Sequence, residues 1–276
     1  MRGFRIETSN DARQTLARAA AFLRSAPVQH NLVLTLLEER SAHPEPGRYW
    51  TVLGADAVVG VAFQSPLSFH AAITSMPAAA IPALVDHMVE AAPDLPGVFG
   101  EADTSSRFAG QWAEVLKVPT SPVEGQRLYR LGSLSLPHGV PGQLRMAGEG
   151  DEDLVVSWIE GFRHDTGGHP PLPDVIRRRI ADRFVSIWDH DGPVSMASFT
   201  PPVAGVSRIG LVYTPPSQRR RGFAAACTAA TTEVALQGGA DHCVLFTQLT
   251  NPQSNAIYRR IGYRAVAEQL RYAFTP

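Results

Sequence analysis

The residues of most chemical interest lie in Val212-Tyr-Thr-Pro-Pro-Ser-Gln-Arg-Arg-Arg-Gly-Phe-Ala224. An apolar run ends in two prolines, and an arginine-rich turn with one glycine feeds an alanine-rich stretch of helical character. The first turn of a helix carries N–H groups without an intrahelical acceptor, and the helix dipole places positive charge there. Such a terminus suits a phosphate or pyrophosphate, and Gly222 permits close backbone approach. Arg219, Arg220 and Arg221 add charge where a helix start otherwise disfavours it, which separates an anion cradle from a solvated arginine run. No Gly-Lys-Ser/Thr follows, so this is not the common ATP loop. The three glycines of a dinucleotide fingerprint are missing too.

A second constellation follows one apolar strand later, in Leu249-Thr-Asn-Pro-Gln-Ser-Asn-Ala-Ile-Tyr-Arg-Arg-Ile-Gly-Tyr263. Asn251 before Pro252 reads as a helix N-cap, since proline is favoured at the first helical position. Tyr258 falls seven residues after Asn251, and Gly262 stops the helix. By itself Tyr258 also reads as a core aromatic whose hydroxyl needs a partner.

Together the two segments resemble the GNAT acetyltransferases. Arg219-x-x-Gly222-x-Ala224 is similar to that superfamily's Gln/Arg-x-x-Gly-x-Gly/Ala acetyl-CoA motif. The Asn251–Tyr258 spacing with its Gly-aromatic close resembles the second motif, over about residues 184 to 276. The resemblance implies that Leu211–Thr214 splays from its neighbour strand. Backbone groups of Val212 and Thr214, flanking Tyr213, would then meet the pantetheine arm and acetyl carbonyl. It implies further that Arg220 to Ala225, including Phe223 and Ala224, cradle the pyrophosphate. Asn251 would bind near the pantetheine, and Tyr258 would protonate the leaving thiolate. The chemistry is coherent: an amine attacking a thioester builds charge first on the carbonyl oxygen and then on sulfur. A backbone N–H serves the first and a tyrosine hydroxyl the second.

The expected reaction is therefore acetyl transfer from acetyl-CoA, as cosubstrate, to a primary amine of a small molecule or peptide. Two other readings stay open: a different acyl donor, or a non-catalytic CoA-binding regulator. The glutamate that many relatives carry five residues before the asparagine is replaced here by Phe246. Glu160, His164, Asp165 and His169, around Gly161–Gly168, are candidate bases; a polar surface loop is the simpler reading of them. No metal site is expected.

The elements that hold these motifs repeat. The order strand, helices, three strands, helix, strand, helix, strand is legible twice, and Val59–Pro66 lies over Val194–Pro201. Leu134–Gly142, with two prolines and two glycines, reads as a linker. The expectation is an α/β protein of two tandem GNAT-like units, each a mixed, mostly antiparallel sheet flanked by helices. Residues 1–136 form a degenerate copy without a cofactor site and 143–276 the catalytic copy. In the first copy the turn Ser75–Leu84 has neither arginine nor glycine, and Ser105 and Trp112 stand opposite Asn251 and Tyr258.

Composition bounds the rest. The chain has 276 residues, 44% hydrophobic and 18% charged, with a net charge of −1, which disfavours a dedicated nucleic-acid binder. Lys117 is the only lysine, so the 25 basic residues are otherwise arginine, a bias that carries no functional weight by itself. Cys227 and Cys243 cannot build a disulfide framework and read as apolar packing residues. With neither a long apolar span nor a secretory leader expected, the reading is cytoplasmic, without membrane or nucleic-acid partners, and compatible with a homodimer.

Overall fold

The computed structural model describes residues 3–55, 57–167 and 173–274. The chain divides into two compact units. The first is Met1–Leu128 with Gln248–Thr250 and Val266–Pro276; the second is Tyr129–Thr247 with Asn251–Ala265.

In chain order the first half runs β1 (Arg5–Ser9), α1 (Ala12–Ser25), α2 (Asn31–Ala42), β2 (Arg48–Gly54), β3 (Ala57–Gln64) and β4 (Ala71–Ile73). It continues with a 3₁₀ turn, α3 (Ile81–Ala91), β5 (Gly97–Glu101), α4 (Ala102–Leu116) and β6 (Thr120–Leu131). The second half repeats the order: β7 (Gln143–Met146), α5 (Glu152–Thr166), α6 (Pro173–Ala181), β8 (Val185–Asp189), β9 (Pro193–Phe199) and β10 (Val206–Tyr213). Then come a 3₁₀ turn, α7 (Phe223–Gln237), β11 (His242–Gln248), α8 (Pro252–Arg260) and β12 (Tyr263–Phe274). The fold class is the expected α/β, with mixed and mostly antiparallel sheets flanked by helices.

In the first unit β1, β2, β3 and β4 pair antiparallel in sequence order, and β4 pairs parallel with β5. The other neighbour of β5 is the last strand of the chain: Gln269 to Ala273 of β12 pair antiparallel with Glu101 to Gly97. The core lies under α3 and α4. Trp112 is buried there and stacks on Phe274 with ring centroids 4.9 Å apart, while Phe108 stacks on both. Asp11 caps α1 by accepting from the N–H groups of Arg13 and Gln14, so a turn residue fixes where the helix begins.

In the second unit β7, β8, β9 and β10 pair antiparallel, and β10 pairs parallel with β11. Helix α7 is buried along most of its length, because alanine, threonine and Cys227 let it lie close on the sheet. Gly238 and Gly239 end it, the latter at φ +95°. Among the described residues no helix is long and apolar enough to cross a membrane.

Candidate active site

Strand β10 is irregular where chemistry was expected. Its antiparallel register with β9 runs Ile209↔Phe199 and Gly210↔Ser198, then shifts before Tyr213↔Met196. Leu211 takes up the extra residue at φ +49°, a left-handed conformation unusual for a leucine. The parallel register with β11 ends at Ile209↔Leu245, while β10 itself continues to Tyr213. The end of β10 thus runs on past its pairing with β11, the side on which Leu211–Thr214 was expected to splay, while Tyr213 stays paired with Met196 of β9.

The backbone here is already partly committed. Ser195 Oγ donates to Tyr213 O at 3.0 Å and lies 2.9 Å from Thr214 Oγ1. Arg219 Nε donates to Thr214 O at 2.9 Å, and its terminal nitrogen pairs with Asp165 Oδ2. The Arg219 guanidinium also lies 5.8 Å from the Tyr213 ring. Arg219 therefore braces the exit of β10 against α5.

Beyond Thr214 a 3₁₀ turn, Pro216–Gln218, leads into α7. Arg220 (φ +65°) and Gly222 (φ +86°) are both left-handed, a local shape that turns neighbouring N–H groups into a concave anion nest. The first hydrogen bond back into the helix is from Ala226 N–H to Gly222 O, so the N–H groups of Phe223, Ala224 and Ala225 point out of its end. Arg220 and Arg221 are exposed; Arg221 donates to Gln218 Oε1 at 2.6 Å and covers the buried Phe223 ring at 4.7 Å.

Asn251 does cap α8, accepting from Ser254 N–H at 2.9 Å through Oδ1. Its carbonyl takes N–H from Asn255 backbone and side chain, and Asn255 Oδ1 accepts from Tyr129 at 2.8 Å. This Tyr129–Asn255–Asn251 chain fixes the start of α8 but spends only one side-chain atom of Asn251; its amide nitrogen is not consumed by the cap. Tyr258, 7% exposed, lies between Tyr129 and Tyr263 with ring centroids 6.4 Å from each. Burial pushes its hydroxyl up to about 12, against a smaller opposing effect of the bond to Ser254, so it carries its proton throughout the neutral range.

The candidate bases are less well placed. Glu160, His164 and Asp165 sit on the last turns of α5, which runs on to Thr166 where Gly167 closes it. Gly161 tolerates the helix interior because a Cβ there would collide with the Tyr213 hydroxyl. Glu160 pairs with Arg163 at 2.9 Å, His164 is 88% exposed, and Asp165 is held by Arg219. His169 lies outside the described residues. Phe246, in the position of the family's glutamate, is half-buried.

Burial also raises both thiols of this unit, Cys227 and Cys243, to about 12 from about 9. Their stabilising contribution is complete below pH about 9, where unfolded thiols stay protonated, and is lost as pH rises toward 12. Chemical denaturation followed against pH is expected to weaken from about pH 9 upward, and C227A/C243A together should move that onset toward the tyrosine range near pH 10. An unchanged onset in the double variant would assign it elsewhere.

Residues 198–272 match the family model described as FR47-like protein. A solved GCN5-related N-acetyltransferase from Sphaerobacter thermophilus aligns over 98% of this chain and 94% of its own, at 15% identity and a TM-score of 0.63. The chain has the GNAT fold. Another GNAT structure, a GCN5-related N-acetyltransferase from Kribbella flavida, is 20% identical over 79% of this chain and 87% of its own, with a TM-score of 0.58. A tandem GNAT protein from the clavulanic acid biosynthesis pathway covers 99% of both chains at 11% identity and a TM-score of 0.56. Among curated sequences, the mycothiol acetyltransferase of Clavibacter sepedonicus is 23% identical over 169 residues, 58% of this chain. The match takes in 53% of that protein, so the chain spans about half the length of this relative. Within the GNAT frame, the bulged β10, the turn into α7 and the capped start of α8 all belong to the second half of the chain, as the FR47-like match does.

Proposed function

We propose that the second unit is an acetyl-CoA-dependent N-acetyltransferase acting on a primary amine of a small molecule or peptide. One observation carries this: a bulged strand that runs on past its pairing with β11 leads directly into an anion nest at a helix start, in the same unit as a buried tyrosine that keeps its proton. The nest, Arg220 to Ala225, holds the pyrophosphate through main-chain N–H groups. Val212 and Thr214 present backbone groups to the pantetheine arm and the acetyl carbonyl, and Asn251 offers its amide beside the arm. Arg219 acts through Thr214 and Asp165 rather than on the cofactor, a positioning role in place of direct contact.

In the reaction the acceptor nitrogen forms a bond to the acetyl carbon, and a backbone N–H stabilises the charge on the carbonyl oxygen. The carbon–sulfur bond then breaks, and Tyr258 gives its hydroxyl proton to the departing thiolate. The proton lost by the amine leaves through water, because Phe246 replaces the usual carboxylate. The mycothiol acetyltransferase among the relatives favours a small acceptor.

Among the described residues the first unit has no comparable cradle. Its turn reaches α3 through Pro77 (φ −56°), Ala80 (φ −85°) and Ile81 (φ −59°), none of them left-handed, with Pro82 following. We assign it no cofactor site. Counted from the helix cap, Glu101 holds the place of Asn251 and Phe108 that of Tyr258, instead of the Ser105 and Trp112 expected from sequence. Neither aromatic supplies an acid.

A panel of primary amines incubated with acetyl-CoA and the full chain, read by CoA release, tests the reading. Amine-dependent release is expected. Saturable acetyl-CoA binding with no release for any amine would favour a CoA-binding regulator, the reading that Phe246 supports.

A further inference from the structure

The first unit contains a cavity of about 30 Å³ lined by residues of α2, the ends of β4 and β5, and β12. That is room for roughly two waters or one small head group. Val33, Ile73 and Phe99 supply apolar wall. The polar groups on it include two acceptors that face no cation of the lining, Gln269 Oε1 and the Glu101 carboxylate. Gln269 lines the cavity, is 7% exposed, and its Oε1 is buried with no hydrogen-bond partner in the protein. Glu101, directly opposite Gln269 in the β5–β12 register, brings a carboxylate that also caps α4 through the N–H groups of Asp103 and Thr104.

His30 is the third acceptor. Its Nδ1 lies 3.1 Å from Leu23 O, which makes Nδ1 the protonated nitrogen and leaves Nε2 with a lone pair. Burial holds this imidazole below its ordinary range, which favours its neutral form. Thr74 Oγ1 is spent on the Val61 backbone, while Gln29 and Ser75 stand at the exposed rim. No lysine or arginine lines the cavity among the described residues. The guanidinium of Arg271, over the Phe99 ring, is paired with Glu124 at 2.9 Å through a terminal nitrogen, while its buried Nε has no hydrogen-bond partner in the protein.

An orphaned buried acceptor is costly unless something donates to it. A carboxylate alongside favours a donor that is also cationic. We propose that this cavity is a binding site for a small primary ammonium group, held by Gln269 Oε1 and the Glu101 carboxylate, with its alkyl portion against the apolar wall. The site stands on the cavity alone and does not rest on the transferase reading.

The test is a titration of the full chain, labelled with ¹⁵N-glutamine, with methylammonium chloride, using tetramethylammonium chloride as a cation that has no N–H donor. The Gln269 side-chain amide, identified by its loss in Gln269→Leu, is expected to shift saturably with methylammonium and not with tetramethylammonium. Calorimetry should show at least tenfold weaker methylammonium binding for Gln269→Leu. That apolar replacement relieves the orphaned oxygen, so the variant should fold. Glu101→Gln, which keeps an acceptor for the α4 cap, should weaken binding by a similar factor. No saturable shift, an equal response to tetramethylammonium, or undiminished binding by Gln269→Leu would each overturn the proposal.

Discussion

Tyr258→Phe is expected to lower the rate of amine-dependent CoA release by about a hundredfold or more, within the range typical of a lost general acid. Acetyl-CoA affinity should change by less than about threefold. The substitution removes one oxygen and leaves the ring packed between Tyr129 and Tyr263. The hydroxyl bond to Ser254 is lost, a cost to stability of about 1 kcal/mol. A rate defect much larger than the binding and stability defects is the signature of an acid rather than a packing residue. Because burial holds the hydroxyl up to about 12, any fall in rate below pH 10 in the wild type belongs to another group. If Tyr258→Phe turns over within a factor of two of wild type, the thiolate is protonated by something else.

Gly222→Glu is expected to weaken acetyl-CoA binding by at least a hundredfold, measured by calorimetry. Three effects act together. The residue sits at φ +86°, where any side chain is strained by roughly 1 to 2 kcal/mol. A Cβ would stand 3.0 Å from Val140 Cγ2, tighter than ordinary contact. A carboxylate at the helix start would also occupy the place of the phosphates and repel them, while being welcome to the helix dipole itself. The last point separates folding from function, since the variant's helix keeps a favourable cap charge. Gly222→Asn, which tolerates the left-handed conformation without the charge, should lose far less. Undiminished binding by Gly222→Glu would place the pyrophosphate elsewhere.

The elements were legible in the sequence because their periods and stop signals are strong. Helix α3 at Ile81–Ala91 and strand β12 at Tyr263–Phe274 fall where the pattern places them, and Gly238-Gly239 marks the end of α7. The last turn of α5, Arg163 to Thr166, is hard to read from sequence because it offers no apolar period, although Gly167 caps it. Strand β6 starts at Thr120 and passes through Pro122, a residue that demotes a strand reading. The turn before α7 stood out because three arginines and a glycine stand directly ahead of an alanine-rich helix. Its inner bracing did not. Nothing in the spacing pairs Arg219 with Asp165, since residues 54 positions apart meet only once the sheet exists. Leu211 gives no local hint of a left-handed bulge, because leucine has no preference for it. Nor does a strand pattern name its partner, so the pairing of β12 with β5 could be known only from the fold.

That pairing has a consequence for how the molecule comes into being. The first unit takes the strand between β5 and β6, and Phe274 in the stack with Trp112 and Phe108, from residues that follow the body of the second unit in the chain. Vectorial synthesis normally lets an N-terminal domain fold while the rest is still being made. Here the nascent first unit must wait with an unpaired β5 edge, exposed to association with other chains, until Val266 to Phe274 emerge. A fusion or cut placed in Leu134–Gly142, which looks like a harmless linker, would strand that unit without its last strand.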